Sequence, residues 1–247
     1  MFIWIVSAVA FVVLMLSLLG YPRLRLPRQA SIEGIKNPEA AKGYDRISRK
    51  PQFKFLRRMI ARELKRYHPE GVMVDAGCGP GYLVAVIAKS FPHLQIIGID
   101  IAKEMVEAAT RNVSSLSLKE RVRFQQGDIQ ELPFEDNAAD FMVSTLSLHH
   151  WSNPKEALHE IHRVLKPGGQ FLVFDLRRDG RRFFYWLLRF AQAFVMPAAL
   201  RDINEPTGSI LSSYTPGEAE ALLSGIPFQK WRIKPGAGWM FIWGRKG

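Results

Sequence analysis

The sequence predicts an α/β protein, a doubly wound and mostly parallel seven-stranded sheet with helices on both faces, preceded by one transmembrane helix. Short apolar runs alternate with helical stretches of roughly 10 to 15 residues, the order that builds β-α-β units. A glycine-rich turn separates the first run from its helix, and the second run ends in a carboxylate. Near the N-terminus, 18 consecutive residues carry no charge.

In chain order, Pro51 to Tyr67 has the spacing of an amphipathic helix, with Phe53, Leu56, Ile60 and Leu64 on one side. Lys54, Arg57, Arg58 and Lys65 lie elsewhere on it. Packing on the sheet is its expected role, with lipid contact by the basic side as the alternative. Val72 to Asp75 reads as a strand buried on both faces, and Gly81 to Phe91 as the helix after it. Gln95 to Asp100, Val122 to Asp128, Asp140 to Ser147 and Gln170 to Leu176 follow as strands. Pro154 to Leu165 is a helix closed by Lys166-Pro167-Gly168-Gly169, because glycine and proline stop helices there. Thr215, Pro216 and Glu218 form a capping box that opens the last helix. Phe228 to Ile233 and Trp239 to Arg245 end the chain as a hairpin.

The chemistry concentrates in Asp75-Ala76-Gly77-Cys78-Gly79-Pro80-Gly81. Glycines at 77, 79 and 81 let the backbone turn sharply and lie against a ligand. Asp100, at the end of the second strand, is placed to accept hydrogen bonds from a ribose diol. Together they describe a nucleoside crevice. A dinucleotide fold needs glycine at the sixth position of GxGxxG, and Tyr82 stands there. Asp75 would repel a pyrophosphate but suits the cationic end of a sulfonium amino acid. A nicotinamide oxidoreductase is therefore the disfavoured alternative.

These residues resemble motif I of class I S-adenosylmethionine-dependent methyltransferases, of the small-molecule or quinone type. The resemblance extends through Gly127-Asp128-Ile129, the string RVLKPGG at 163–169, and Tyr44-Asp45-Arg46 upstream. It covers roughly residues 40 to 176, and it implies a Rossmann-like fold and S-adenosylmethionine as cofactor. By the same resemblance Asp75, Gly77, Gly79 and Gly81 hold the methionine end, Asp100 the ribose, and Asp128 with Ile129 the adenine. Ser144 to Leu146 would lie beside the cofactor at the mouth of the fourth strand, with Ser144 as the contact, and Tyr44 would cover the methionine end or the acceptor. His149, in Leu148-His149-His150-Trp151, resembles the histidine base of plant-type phenolic O-methyltransferases. It serves either as a base with a pKa near 6.5 or only as a wall of the pocket. His159 and His162, three apart on a helix, read as solvated or packing residues, and Glu131 and Asp136 as surface residues. A non-catalytic scaffold is the other alternative, opposed by the intact glycine loop and ribose carboxylate.

Composition narrows the rest. Cys78 is the sole cysteine, so no disulfide forms within the chain and a cysteine-based metal site is not expected. Phe2 to Leu19, as a helix, would be about 27 Å long against a hydrocarbon thickness of roughly 30 Å. No basic n-region precedes the run and no A-x-A cleavage site follows it, which favours an anchor over a signal peptide. Arg23, Arg25, Arg28 and Lys36 follow the run and no Lys or Arg precedes it, which directs the remainder to the cytoplasm. Residues 1–70 hold 14 Lys or Arg against 5 Asp or Glu, nine of the net +11. Such residues beside a span are attracted to anionic lipid, each by about 1 kcal/mol. Nucleic acid, the other partner of a basic chain, is not expected because the excess follows the anchor.

The expected organisation is an anchor at 1–21, a basic juxtamembrane linker at 22–50 and the catalytic domain at 51–247. Within the domain, 177–214 is an insertion, read either as a lid or as a membrane contact. Its run from Phe183 through Phe190 and Phe194 to Pro197 is too short to span a bilayer and too apolar all round for an ordinary surface helix. Asp202 to Tyr214 is expected to be a flexible flap. The acceptor is expected to be lipophilic: a quinone, phenol, lipid or thiol.

Overall fold

The computed structural model describes residues 23–29, 38–114, 116, 118 and 120–247. Five parallel strands, β1 (Val72–Ala76), β2 (Gln95–Asp100), β3 (Val122–Gln126), β4 (Ala139–Thr145) and β5 (Leu165–Leu176), are joined by a closing hairpin, β6 (Phe228–Pro235) and β7 (Trp239–Lys246). The order is β3-β2-β1-β4-β5-β7-β6, with β7 antiparallel to both its neighbours. The seven-stranded Rossmann-like sheet expected from the sequence is therefore present.

Side chains alternate across this sheet and feed two cores. Met73, Ile96 and Phe141 pack with Ile60 and Leu64 of α2 (Pro51–Leu64) and Val84 and Ile87 of α3 (Tyr82–Ser90). Val74, Ile97 and Met142 face the other way, onto Leu158 and Ile161 of α5 (Pro154–Val164) and Leu223 of α9 (Pro216–Leu223). Because β1, β2, β4 and β5 are apolar at consecutive positions, both faces of the sheet centre are covered. The chain moves outward from β1 to β3, then returns to place β4 on the other side of β1. That reversal opens a crevice at the carboxyl ends of β1 and β4, where α/β sheets bind ligands.

Three expectations need correction. Residues 38–48, expected within a linker, form α1 (Pro38–Ser48). Its buried side rests mainly on small residues, Ala40 against Leu200 and Ala41 against Met105 of α4 (Lys103–Ser114), so hydropathy did not mark it. The expected flap contains α8 (Thr207–Ser212), whose Thr207 and Ser209 to Ser212 are buried. Its serines bond inside the turn, Ser212 Oγ donating to Gly208 O and Ser213 Oγ to Ser209 O, so a polar sequence packs. Lys166-Pro167-Gly168-Gly169 stops α5 as expected but forms the irregular opening of β5, with a register shift opposite Ala139 and Phe141.

Between β5 and α9 lie α6 (Arg182–Phe194), α7 (Ala198–Asp202) and α8. Residues 23–29 form a strap across this insertion. Leu24 N donates to Gly180 O at 2.9 Å, Gln29 N to Leu211 O at 3.0 Å and Arg28 Nε to Ser212 O at 2.7 Å. Arg178, buried, joins the pieces: its guanidinium reaches Leu26 O, Ser213 O and the Glu218 carboxylate at the cap of α9. Among the described residues no helix is long and apolar enough to cross a membrane. The span expected over Phe2 to Leu19 lies outside them. Arg178→Ala strands two carbonyls and a carboxylate, and a loss on the order of 3 kcal/mol is expected. The urea midpoint measures it, and an unchanged midpoint would mean the strap and cap hold without the arginine.

Candidate cofactor and acceptor site

The glycine loop is tied to the end of β2 by backbone and carboxylate together. Gly77 N and Cys78 N both donate to Ile99 O, at 2.8 and 2.9 Å. Asp100 accepts from Gly79 N at 2.8 Å and from Ala102 N at 3.0 Å. Burial raises the Asp100 pKa, and these two N–H donors pull it back down. Gly77 has φ 79°, and a Cβ there would stand 2.6 Å from Ser147 Oγ. Gly79 has φ 52° and open space around it, the Tyr44 ring being 3.7 Å from where a Cβ would be.

The crevice beside this loop is a cleft of about 150 Å³. Of the residues singled out from sequence, Tyr44, Gly77, Gly79, Asp100, Asp128 and Ile129 line it. Asp75, Gly81, Ser144 and His149 do not. Gly81 precedes α3 in the left-handed conformation, backed by Ala109. Ser144 turns away from the cleft and donates to Ala76 O at 2.7 Å. Of the expected stretch Ser144 to Leu146, Thr145 and Leu146 do line the mouth of β4, joined by Ser147, with His150 and Trp151 beyond them. Ile101, Ala102 and Met105 complete an apolar side that sequence reasoning missed. A larger groove of about 450 Å³ between α1 and α4 holds Asp45, Arg49, Glu107 and Arg111. Its charges pair with one another, Arg49 with Asp45 and Arg111 with Glu107, so its size does not make it the site.

Two acidic groups beside the cleft, the Asp75 carboxyl and the Tyr44 phenol, have pKa values raised above their ordinary ones. Asp75 is 1 % exposed and neither of its oxygens has a hydrogen-bond partner. Burial, with Asp100 adding to it, pushes its pKa up to about 7. Tyr44 is pushed up to about 12 by burial, then by the Glu205 and Asp100 carboxylates.

His149 is deeper than expected. It sits on a 3₁₀ turn, Leu148–His150, and is 2 % exposed. Asp175, at the end of β5, accepts from its backbone N–H at 2.9 Å and lies 2.7 Å from Nδ1. Nε2 has no partner. Burial works against the imidazolium, but Asp175 outweighs it and the His149 pKa lies above its ordinary value. Glu205, itself raised by burial, adds to that effect. The His150 ring is 4.0 Å away and lines the cleft, and burial followed by its neighbour's charge drives its pKa down to about 3. Asp175 and Glu205 were not found from sequence. The only available signal was an acid closing an apolar strand, in Phe174-Asp175. His162 packs edge-on against Phe228 and His159 is exposed, as expected.

Residues 74–173 match the family model described as a methyltransferase domain. A solved protein from Methanococcus maripaludis, assigned as an S-adenosylmethionine-dependent methyltransferase, superposes with a TM-score of 0.67 at 25% identity, over 88% of this chain and 97% of that one. Residues 74–173 thus form a methyltransferase domain, within a fold shared with an S-adenosylmethionine-dependent methyltransferase. The chain is 32% identical over 118 residues to a demethylmenaquinone methyltransferase of Symbiobacterium thermophilum, across 47% of each chain. It is 33% identical over 129 residues to a malonyl-[acyl-carrier protein] O-methyltransferase of Nitrosospira multiformis, across 47% of this chain and 42% of the relative. The chain thus spans less than half the length of these two curated relatives.

The methyltransferase domain's residues suit its cofactor, S-adenosylmethionine. Gly79 leaves room where a side chain would stand, Asp100 keeps lone pairs for ribose hydroxyls, and Asp75 offers two unpartnered oxygens to an ammonium or a bridging donor. Asp128 and Ile129, which the resemblance assigns to the adenine, line the cleft, with Asp128 accepting from Gln130 N at 2.9 Å.

Asp75 provides a test by pH. Its folded pKa, about 7, lies above the ordinary 3.8, so the folded chain holds this proton more tightly than the unfolded one. The associated stability is present at low pH and is lost as pH rises toward about 7. Asp75→Asn is expected to raise the melting temperature of the ligand-free protein at pH 8, by less at pH 5, and to reduce the further rise given by S-adenosylhomocysteine. A gain independent of pH would show that this carboxylate is not the strained group.

Proposed function

We propose that the chain transfers the methyl group of S-adenosylmethionine to a lipophilic small molecule, a quinone, phenol, lipid or thiol, at the cytoplasmic face of a membrane that residues 2–19 enter. The buried His149–Asp175 pair supports this reading most directly. Asp175 takes the Nδ1 proton as hydrogen-bond acceptor, which leaves the Nε2 lone pair free. The bound cofactor supplies a methyl group already activated by its sulfonium, so the protein's work is alignment and exclusion of water. His149 then takes the proton that a hydroxyl, thiol or acidic carbon gives up. Leu146, Met105, Ile101 and Trp151 give the acceptor an apolar wall.

A quinone-type acceptor draws support from the demethylmenaquinone methyltransferase relative. The malonyl-[acyl-carrier protein] relative is about as similar, so the choice of acceptor rests on chemistry rather than likeness. Membrane placement draws support from the uncharged N-terminal run and the basic excess behind it.

Calorimetry with S-adenosylhomocysteine, with NADH in parallel, is expected to give micromolar binding of the first and none of the second. The reverse result would return the nicotinamide reading. With labelled S-adenosylmethionine and hydroquinone or phenolic acceptors, His149→Gln is expected to slow methyl transfer by about 10²–10⁴-fold while leaving S-adenosylhomocysteine affinity unchanged. Since Asp175 raises the His149 pKa, Asp175→Asn is expected to move the acidic limb of the rate profile to lower pH. An unmoved limb would remove His149 from the proton transfer.

A further inference from the structure

We propose that helix α6 is a membrane contact in its own right, lying on an anionic bilayer surface with Trp186, Leu187, Phe190 and Phe194 among the headgroups. The inference rests on the anchored reading above for its orientation and adds a second contact from within the domain. None of the helix's residues is buried, although ten of the twelve from Phe183 to Phe194 are Phe, Tyr, Trp, Leu or Ala. The exposures are 58 % for Trp186, 46 % for Leu187, 60 % for Phe190 and 74 % for Phe194. Positions 186, 187, 190 and 194 fall on one face. Its other side is fixed to the domain, Phe184 against Trp239 and Gln192 donating to Asn204 Oδ1.

What covers this face follows from where the strap leads. Arg23 bridges Arg181, the residue just before α6. Leu19, the end of the uncharged run, is four residues from Arg23, at most about 14 Å of extended chain. If the run enters a bilayer, the start of α6 is held at that bilayer's surface. Arg182 and Arg189 on the helix, with Arg23 and Arg25 on the strap, are exposed and match anionic headgroups. The Arg189 guanidinium lies over the Tyr185 and Trp186 rings, 5.9 and 5.7 Å from their centroids, a pairing suited to the interface.

Two protein occupants fit less well. The run at 2–19 is apolar on all sides, so lying along α6 would cover only one side of it, whereas a bilayer covers all. A second copy's α6 would bring Arg182 and Arg189 against their own counterparts, with no acid on the helix to pair them.

The full chain, reconstituted in vesicles of phosphatidylcholine and phosphatidylserine, tests this with an environment-sensitive dye on Phe190→Cys. Glu120→Cys, exposed at the start of β3 and so at the opposite end of the sheet, is the control. Native Cys78 is buried. The dye at 190 is expected to shift to the blue and to be quenched by brominated lipid several-fold more than the dye at 120, and less so without phosphatidylserine. Equal quenching at the two positions overturns the proposal. So does a blue shift at 190 without bromine quenching, which would assign the face to a protein occupant. S-adenosylhomocysteine binding and vesicle flotation in the same samples report the cofactor and anchor readings separately. A chain that does not float overturns the anchor and this contact together.

Discussion

The end of β2 holds the glycine loop, and most of the site depends on that hold. Ile99 O takes two consecutive loop N–H groups, and the Asp100 carboxylate takes a third at Gly79 and a fourth at Ala102. The loop therefore cannot move without releasing the first turn toward α4, which starts at Lys103. In the same arrangement Asp100 is a structural clamp before it is a ribose acceptor. A carboxylate has about four lone-pair sites, so two remain after these bonds. One side chain can thus shape the loop and meet the ligand without exchanging partners.

The cleft has an electrostatic asymmetry that favours a cationic or polyhydroxyl ligand. Burial, and after it the Asp100 charge, opposes ionisation of Asp75, which has no donor to offset them. Around His149 the balance goes the other way. Asp175 and Glu205 stabilise its protonated form against the cost of burial. At His150, burial and then the neighbouring His149 charge drive the pKa down to about 3, so it meets the cleft as a neutral wall. Two adjacent histidines with the same intrinsic chemistry are separated by what each is packed against.

The strands, the glycine loop and the hairpin were legible because they depend on local signals, apolar runs and turn chemistry. Ser144 was misplaced by a single step of strand period. At the mouth of β4 its side chain points back to Ala76, while Thr145 faces the cleft. Helix α1 was missed because Ala40 and Ala41 bury little surface and leave no apolar stripe. Tyr44, on that helix, was legible only through the resemblance of Tyr44-Asp45-Arg46 to a family motif and not through periodicity. Asp175 and Glu205 act on His149 from 26 and 56 positions away in the chain, a proximity that only the fold creates.

From Asp175 onward the chain links the chemistry to the periphery in a few residues. Asp175 fixes the His149 ring; Arg177 grips Asp179 and Gly236 O; Arg178 holds the strap at Leu26 and the cap at Glu218. Arg181 meets Arg23, and α6 begins at the next residue. Because Arg178 is buried and bonded to three separate segments, the strap's position follows from β5 rather than from the strap's own sequence. The strand that orients the histidine also sets where the N-terminal segment meets the domain.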